Sequence, residues 1–172
     1  MAVIGIDPGT ALTGYGIVEE LADGSLKTIA YGVFRTEPKE LPEIRLASLF
    51  DQLNRLLNLH SLECAAVEKL FFQRNVKTAL SVGQARGVIL LSLTLANKRI
   101  FEYNPMDIKQ AVAGYGRADK KQVQQMVKVL LGMDHIPEPD DAADALAVAI
   151  CHIHSYKMLQ TDNPDENNFQ PV

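Results

Sequence analysis

Three things are scarce in this 172-residue chain. Cysteine is the first. Only Cys64 and Cys151 occur, both inside apolar runs and neither beside other metal ligands at finger spacing. That argues against a zinc finger or a disulfide scaffold and predicts two buried, reduced thiols. Long hydrophobic runs are the second. The stretch Val88–Ala96 is broken by Ser92 and Thr94, and falls well short of the roughly 20 residues a membrane helix needs. No secretory leader precedes the first apolar run, so a cytoplasmic location is expected. Positive charge is the third. Seventeen Lys and Arg face 21 Asp and Glu, a net charge of −4, which argues at first against a nucleic-acid partner. Two considerations weaken that argument. Asp162, Asp165 and Glu166 lie in a polar C-terminal stretch, and carboxylates that hold divalent cations are locally neutralised.

What is present reads as one globular domain over residues 1–158, with a flexible tail at 159–172. Val3, Ile4 and Ile6 suit a short buried strand, ended at Asp7 by Pro8-Gly9. Thr10, Thr13, Gly14 and Gly16 lead into a second strand at Ile17–Leu21. Asp23-Gly24 then turns the chain into a third, Leu26–Phe34. Pro42 opens a helix running to about His60. Cys64–Val67 is a short apolar strand ending at Glu68. A long helix at Lys77–Leu95, a fifth strand at Arg99–Tyr103 and helices at Met106–Ala113, Lys120–Leu131 and Asp141 to about Tyr156 complete the chain. An antiparallel meander followed by right-handed β-α-β crossovers gives an α/β fold. Its mixed five-stranded sheet has the order 3-2-1-4-5 and helices on its flanks, the ribonuclease H-like arrangement.

In that order Asp7 and Glu68 end neighbouring parallel strands, about 4.8 Å apart, where α/β sheets gather their ligands. Asp7 taken alone reads equally as a residue that caps its own turn. Two bare carboxylates this close repel, and a divalent cation removes the conflict. Asp141 and Asp144, three residues apart, share a helix face. Asp141 is also a good N-cap. Asp144 leads into Ala145–Cys151, a run with no polar side, so it is a buried acid that needs a partner. His152 and His154 read as surface or packing residues. Oxygen-only donors favour Mg²⁺ or Mn²⁺, and four acids suit a two-metal attack on a phosphodiester. No Ser/His/Asp or Cys/His arrangement competes.

Lys69, Phe71, Phe72, Arg74 and Lys77 interleave bases with aromatics just past Glu68, a pattern suited to nucleic acid. Phe72 reads at least as well as core. Lys109, Arg117, Lys120 and Lys121 form a second basic group. Lys120 and Lys121 oppose the dipole at a helix start, which suggests either a phosphate partner or a solvated face. Lys98 and Arg99 read as plain surface residues. Gly83, Ala85 and Gly87 make one helix unusually small-faced, for a dimer contact or for packing on the sheet.

GIDPGTALTGYG, VEKLFF, GQARGV, FEYNPMDIKQAVAGYGRADKKQVQ and DAADALAVAI, in this order, resemble the RuvC family of Holliday-junction resolvases. The resemblance covers Met1 to about Tyr156. It implies a homodimeric, Mg²⁺-dependent endodeoxyribonuclease that nicks opposed strands of a four-way DNA junction and works with the RuvA–RuvB branch-migration complex. It implies Asp7, Glu68, Asp141 and Asp144 as metal-binding catalytic acids, Phe71 as the junction-stacking aromatic, and Lys109 and Lys120 as DNA-binding bases. Asp140 either substitutes for Asp141 or merely caps. The competing expectations are a YqgF-like nuclease of the same fold acting on RNA, an actin-like ATPase lobe, and a non-catalytic DNA-binding module.

Overall fold

The computed structural model describes residues 1–70 and 76–162, with side chains given for 1–70 and 79–156. Strands β1 (Ala2–Asp7), β2 (Leu12–Glu20) and β3 (Leu26–Arg35) form the expected antiparallel meander. Helix α1 (Pro42–Leu59), β4 (Cys64–Glu68), α2 (Val76–Leu95) and β5 (Arg99–Tyr103) follow. The chain then forms α3 (Pro105–Ala113), α4 (Lys120–Leu130) and α5 (Asp140–Asp162). The sheet order is β3-β2-β1-β4-β5, with β4 parallel to both β1 and β5. This is the order the crossover argument predicts.

Strand alternation sorts the core into two layers. Val3, Val18, Cys64 and Ala66 face α3, α4 and α5. Ile4, Ile6, Ile17, Ala65 and Val67 face α1 and α2. Helix α5 is the central cover of its layer, and its residues from Ala145 to Ile153 are fully buried or nearly so. Leu146 and Ile150 alone remove two large aliphatic side chains from water, each worth about 1.5–3 kcal/mol.

The reason α5 sits so low lies in glycines. A Cβ on Gly5 would overlap the backbone of Ala145 and Ala149, and one on Gly14 would overlap the backbone of Asp141. On Gly16 it would run into the Leu146 side chain. This corrects the expected strand boundary: β2 begins at Leu12, and Gly14 and Gly16 are strand residues whose missing side chains seat a helix. Thr13 is buried in the same strand, and its hydroxyl donates to the Gly9 carbonyl at 2.7 Å, pinning the turn after Asp7.

Other expectations change in detail. Helix α5 continues to Asp162, past the expected end near Tyr156. The rest of the expected tail, 163–172, lies outside the described residues. Both cysteines are free and buried, and burial pushes their thiols up to about 11 for Cys64 and about 12 for Cys151. Lys98 is not a plain surface residue, because its ammonium donates to the Leu62 carbonyl at 2.7 Å. Arg99 lies over the Phe101 ring, 5.2 Å from its centroid. His152 is a core residue. Its ring lies between Cys64 Sγ at 3.1 Å and Tyr103 Oη at 2.8 Å. Burial pulls its pKa down to about 4, so it is neutral at pH 7.

Candidate active site

The parity of the strands aims the acids. Val3 and Gly5 face α5, so Asp7, two residues further on, points to the same side. Cys64 and Ala66 do likewise on β4, so Glu68 follows them. Ile6 pairs with Val67 as the last registered pair between the two strands. Asp7 and Glu68 are the next residues, and their side chains hydrogen-bond to each other. Across the other edge Asp7 pairs with Gly14, the glycine over which the Asp141 backbone lies. The glycine seam therefore brings the start of α5 down onto the end of β1.

The electrostatics follow from that crowding. Burial, then the charges of Glu68, Asp144 and Asp141, push Asp7 up to about 8. Glu68 is raised by burial and by Asp144, against the pull of Asp7, Lys109 and Lys120. Asp144 is raised by burial, while Lys120 pulls it back. The Lys120 ammonium reaches Asp144 Oδ2 at 2.9 Å and Asp140 Oδ2 at 3.3 Å. As the side chains stand, no three His, Cys, Asp or Glu groups among the described residues are close enough to share one ion. Asp7 and Glu68 share a hydrogen bond, and Asp144 turns to Lys120.

A cleft of about 230 Å³ opens beside these acids, lined by Glu68 and Asp144 and by Lys109 and Lys120, with Pro105, Ile108, Val123 and Ala147 as its apolar floor. The structure thus brings together Asp7, Glu68, Asp141, Asp144, Lys109 and Lys120. Lys69 is exposed just past β4, and Arg117 is exposed outside the cleft lining. Phe71 and Arg74 lie outside the described residues. Gly83 and Gly87 face outward, with open space where a Cβ would stand. Ala85 is corrected: it is 1% exposed and packs in the layer of α1 and α2, so it cannot lie on an outer helix face.

Lys120 also changes its meaning. Its place at a helix start is balanced by two acids of α5, so no phosphate is needed to account for it. Asp140 is tied to α4 in this arrangement. Its Oδ1 accepts from the amide of Gln124 at 2.9 Å while Oδ2 faces Lys120. The sequence holds one sign of this, the i, i+4 spacing of Asp140 and Asp144. Gln124 carried no sign at all, being one of several glutamines on α4.

A family model described as crossover junction endodeoxyribonuclease RuvC matches residues 3–152 of the chain. The chain belongs to the RuvC family. The RuvC of Caldicellulosiruptor saccharolyticus is 51% identical over 155 residues, 90% of this chain and 93% of that one. The RuvC of Heliobacterium modesticaldum is 54% identical over 155 residues, 90% of this chain and 95% of its own. Among solved structures, Thermus thermophilus RuvC in complex with a Holliday junction substrate matches with a TM-score of 0.87 and 35% identity. That match covers 92% of this chain and 96% of the other. The RuvC sheet order and the RuvC blocks read from the sequence therefore agree. No helix among the described residues is long and apolar enough to cross a membrane.

Proposed function

We propose that this RuvC-family chain resolves four-way DNA junctions by symmetric paired nicks. In this reading Asp7, Glu68, Asp141 and Asp144 hold Mg²⁺, or Mn²⁺ in its place, two ions to a site. The observation that carries it is the crowding of half-buried acids. Asp7 is pushed up to about 8 by its burial and by the three other carboxylates, a strain that a hard divalent cation relieves. The donor set fits such an ion in kind, since every group is a carboxylate oxygen. In closeness it fits for the Asp7–Glu68 pair, while Asp144 must first leave Lys120.

Bound there, the cations supply activation of the attacking water and neutralise charge on the leaving oxygen. The chain's own residues do the rest. Asp7 gives up its proton as the ion is taken up. Lys109 and Lys120, on the wall of the cleft, hold the scissile phosphate against the acids. Lys69 extends the basic track past β4, with Phe71 assigned junction stacking by resemblance and Arg74 a backbone contact by its place in the same basic run. Arg117 adds a peripheral phosphate contact.

Two cuts require two sites at a fixed separation, and hence a homodimer. Leu80, Gly83, Gly87, Leu91 and Leu95 lie at helical spacing on α2 and are exposed, which supports that helix as the contact. Work with the RuvA–RuvB complex follows from the resemblance. The test is a labelled four-way junction incubated with and without Mg²⁺, the nicks mapped on all four strands, beside an RNA hairpin and a linear duplex. Paired nicks on opposed strands, only with the ion and only in the junction, are expected. Cleavage without a divalent ion, or equal cleavage of the duplex or RNA, overturns the proposal.

A further inference from the structure

Lys120 holds two carboxylates at once, and only Asp144 belongs to the four acids of the proposed metal site. The other, Asp140, is mostly exposed, yet it is held in place. The Gln124 amide donates to its Oδ1 at 2.9 Å, and Gln124 itself is only 7% exposed on α4. The Lys120 side chain is about half exposed, at 51%, so its ammonium has room to pivot. Asp140 and Asp144 stand one helical turn apart on α5.

From this we infer that Asp140 is a positioning residue: it gives Lys120 a second seat, so that the lysine yields Asp144 to a divalent cation without leaving the cleft. The inference rests on the reading of Asp144 as a metal ligand. An ammonium at 2.9 Å and a divalent cation cannot both occupy the same face of one carboxylate, because like charges so close repel strongly. With Asp140 present, the displaced ammonium keeps a partner and stays on the wall where a phosphate arrives. Without it, uptake of the ion strands the ammonium. Gln124 fixes the carboxylate's orientation and so the place to which the lysine retreats.

A bland role for Asp140, a negative charge near the site, makes a different prediction. Such a charge attracts the cation whether or not Lys120 is there. The experiment measures Mn²⁺ uptake by the full DNA-free chain, from the loss of the free-ion paramagnetic resonance signal. It uses wild type, Asp140→Asn, Lys120→Met and the double variant. Asn at this position keeps a side chain suited to a helix start, and Asp140→Ser is a second variant for the same purpose. Thermal unfolding checks that each is folded.

Lys120→Met is expected to tighten Mn²⁺ binding about two- to fivefold, the range of a part-exposed ion pair. Asp140→Asn is expected to weaken it by a similar factor in wild type, to have little effect in the Lys120→Met background, and to be rescued by Asp140→Glu. Equal weakening in both backgrounds, or no tightening in Lys120→Met, overturns the inference while leaving the metal site intact. If Asp144→Asn leaves Mn²⁺ uptake unchanged, the reading of Asp144 fails, and the inference falls with it.

Discussion

Asp7 keeps its proton in the folded chain up to about pH 8, against an ordinary value of 3.8, through burial and three neighbouring carboxylates. Folding therefore takes up a proton between these values, and stability must fall as pH rises through that window. His152 acts with the opposite sign. Its folded value of about 4 lies below the ordinary 6.5, so protonation of the unfolded chain erodes stability as pH falls through that range. The two slopes oppose each other below about pH 6.5, and of the two only the Asp7 decline continues above it, with the raised carboxyls of Glu68 and Asp144 acting in the same direction. Metal-free protein should thus lose stability from pH 6.5 to 8. Asp7→Asn should reduce the loss, raising stability at pH 8 by on the order of 1–3 kcal/mol. The same substitution should abolish nicking while junction binding is kept, since Lys109 and Lys120 on the wall of the cleft are untouched. Urea unfolding at the two pH values and a gel-shift with a junction measure both. The place of the acids in the fold was legible because each stands at a strand end or on an apolar helix. The partners of His152 were not, because Cys64 and Tyr103 are distant in sequence and meet only across β4 and β5.

Helix α5 and the strands beneath it act as one element. In most settings a glycine in a strand weakens it, and replacing it with alanine stabilises through the unfolded state. Here the contact reverses the sign. Gly5→Ala and Gly14→Ala would drive a methyl group into the backbone of α5. Each should cost about 3 kcal/mol, the upper range for overpacking, because backbone cannot rotate away as a side chain can. Denaturant midpoints measure this, and nicking should drop further than stability, since Asp141 and Asp144 would ride up with the helix. The order and parity of the elements could be read from the sequence. Asp23-Gly24 sets the hairpin, and the crossovers set the neighbours of β1. The start of β2 could not, because Gly14 and Gly16 carry the same local signal whether they form a turn or seat a helix.

At the scale of the whole molecule, the two faces of α2 differ. Ala85, Ile89 and Leu93 lock it to the sheet, while Leu80, Gly83, Gly87 and Leu91 look outward. Small residues alone could not tell these faces apart in sequence, since Ala85 lies between the two glycines. Gly83→Glu has open space around it and should leave the fold intact. It should shift the chain from dimer to monomer in sedimentation velocity, and paired nicking should fall with it. A Gly83→Glu chain that sediments as wild type would remove α2 as the proposed dimer contact.

The first strand and the last helix meet at Asp7 and Asp141, although they lie near opposite ends of the polypeptide. A ribosome that has released the chain only through β5 has exposed Asp7 and Glu68 but neither acid of α5. In the proposed reading a nascent product therefore cannot assemble the four acids, and a fragment that ends before that helix should fail to nick a junction.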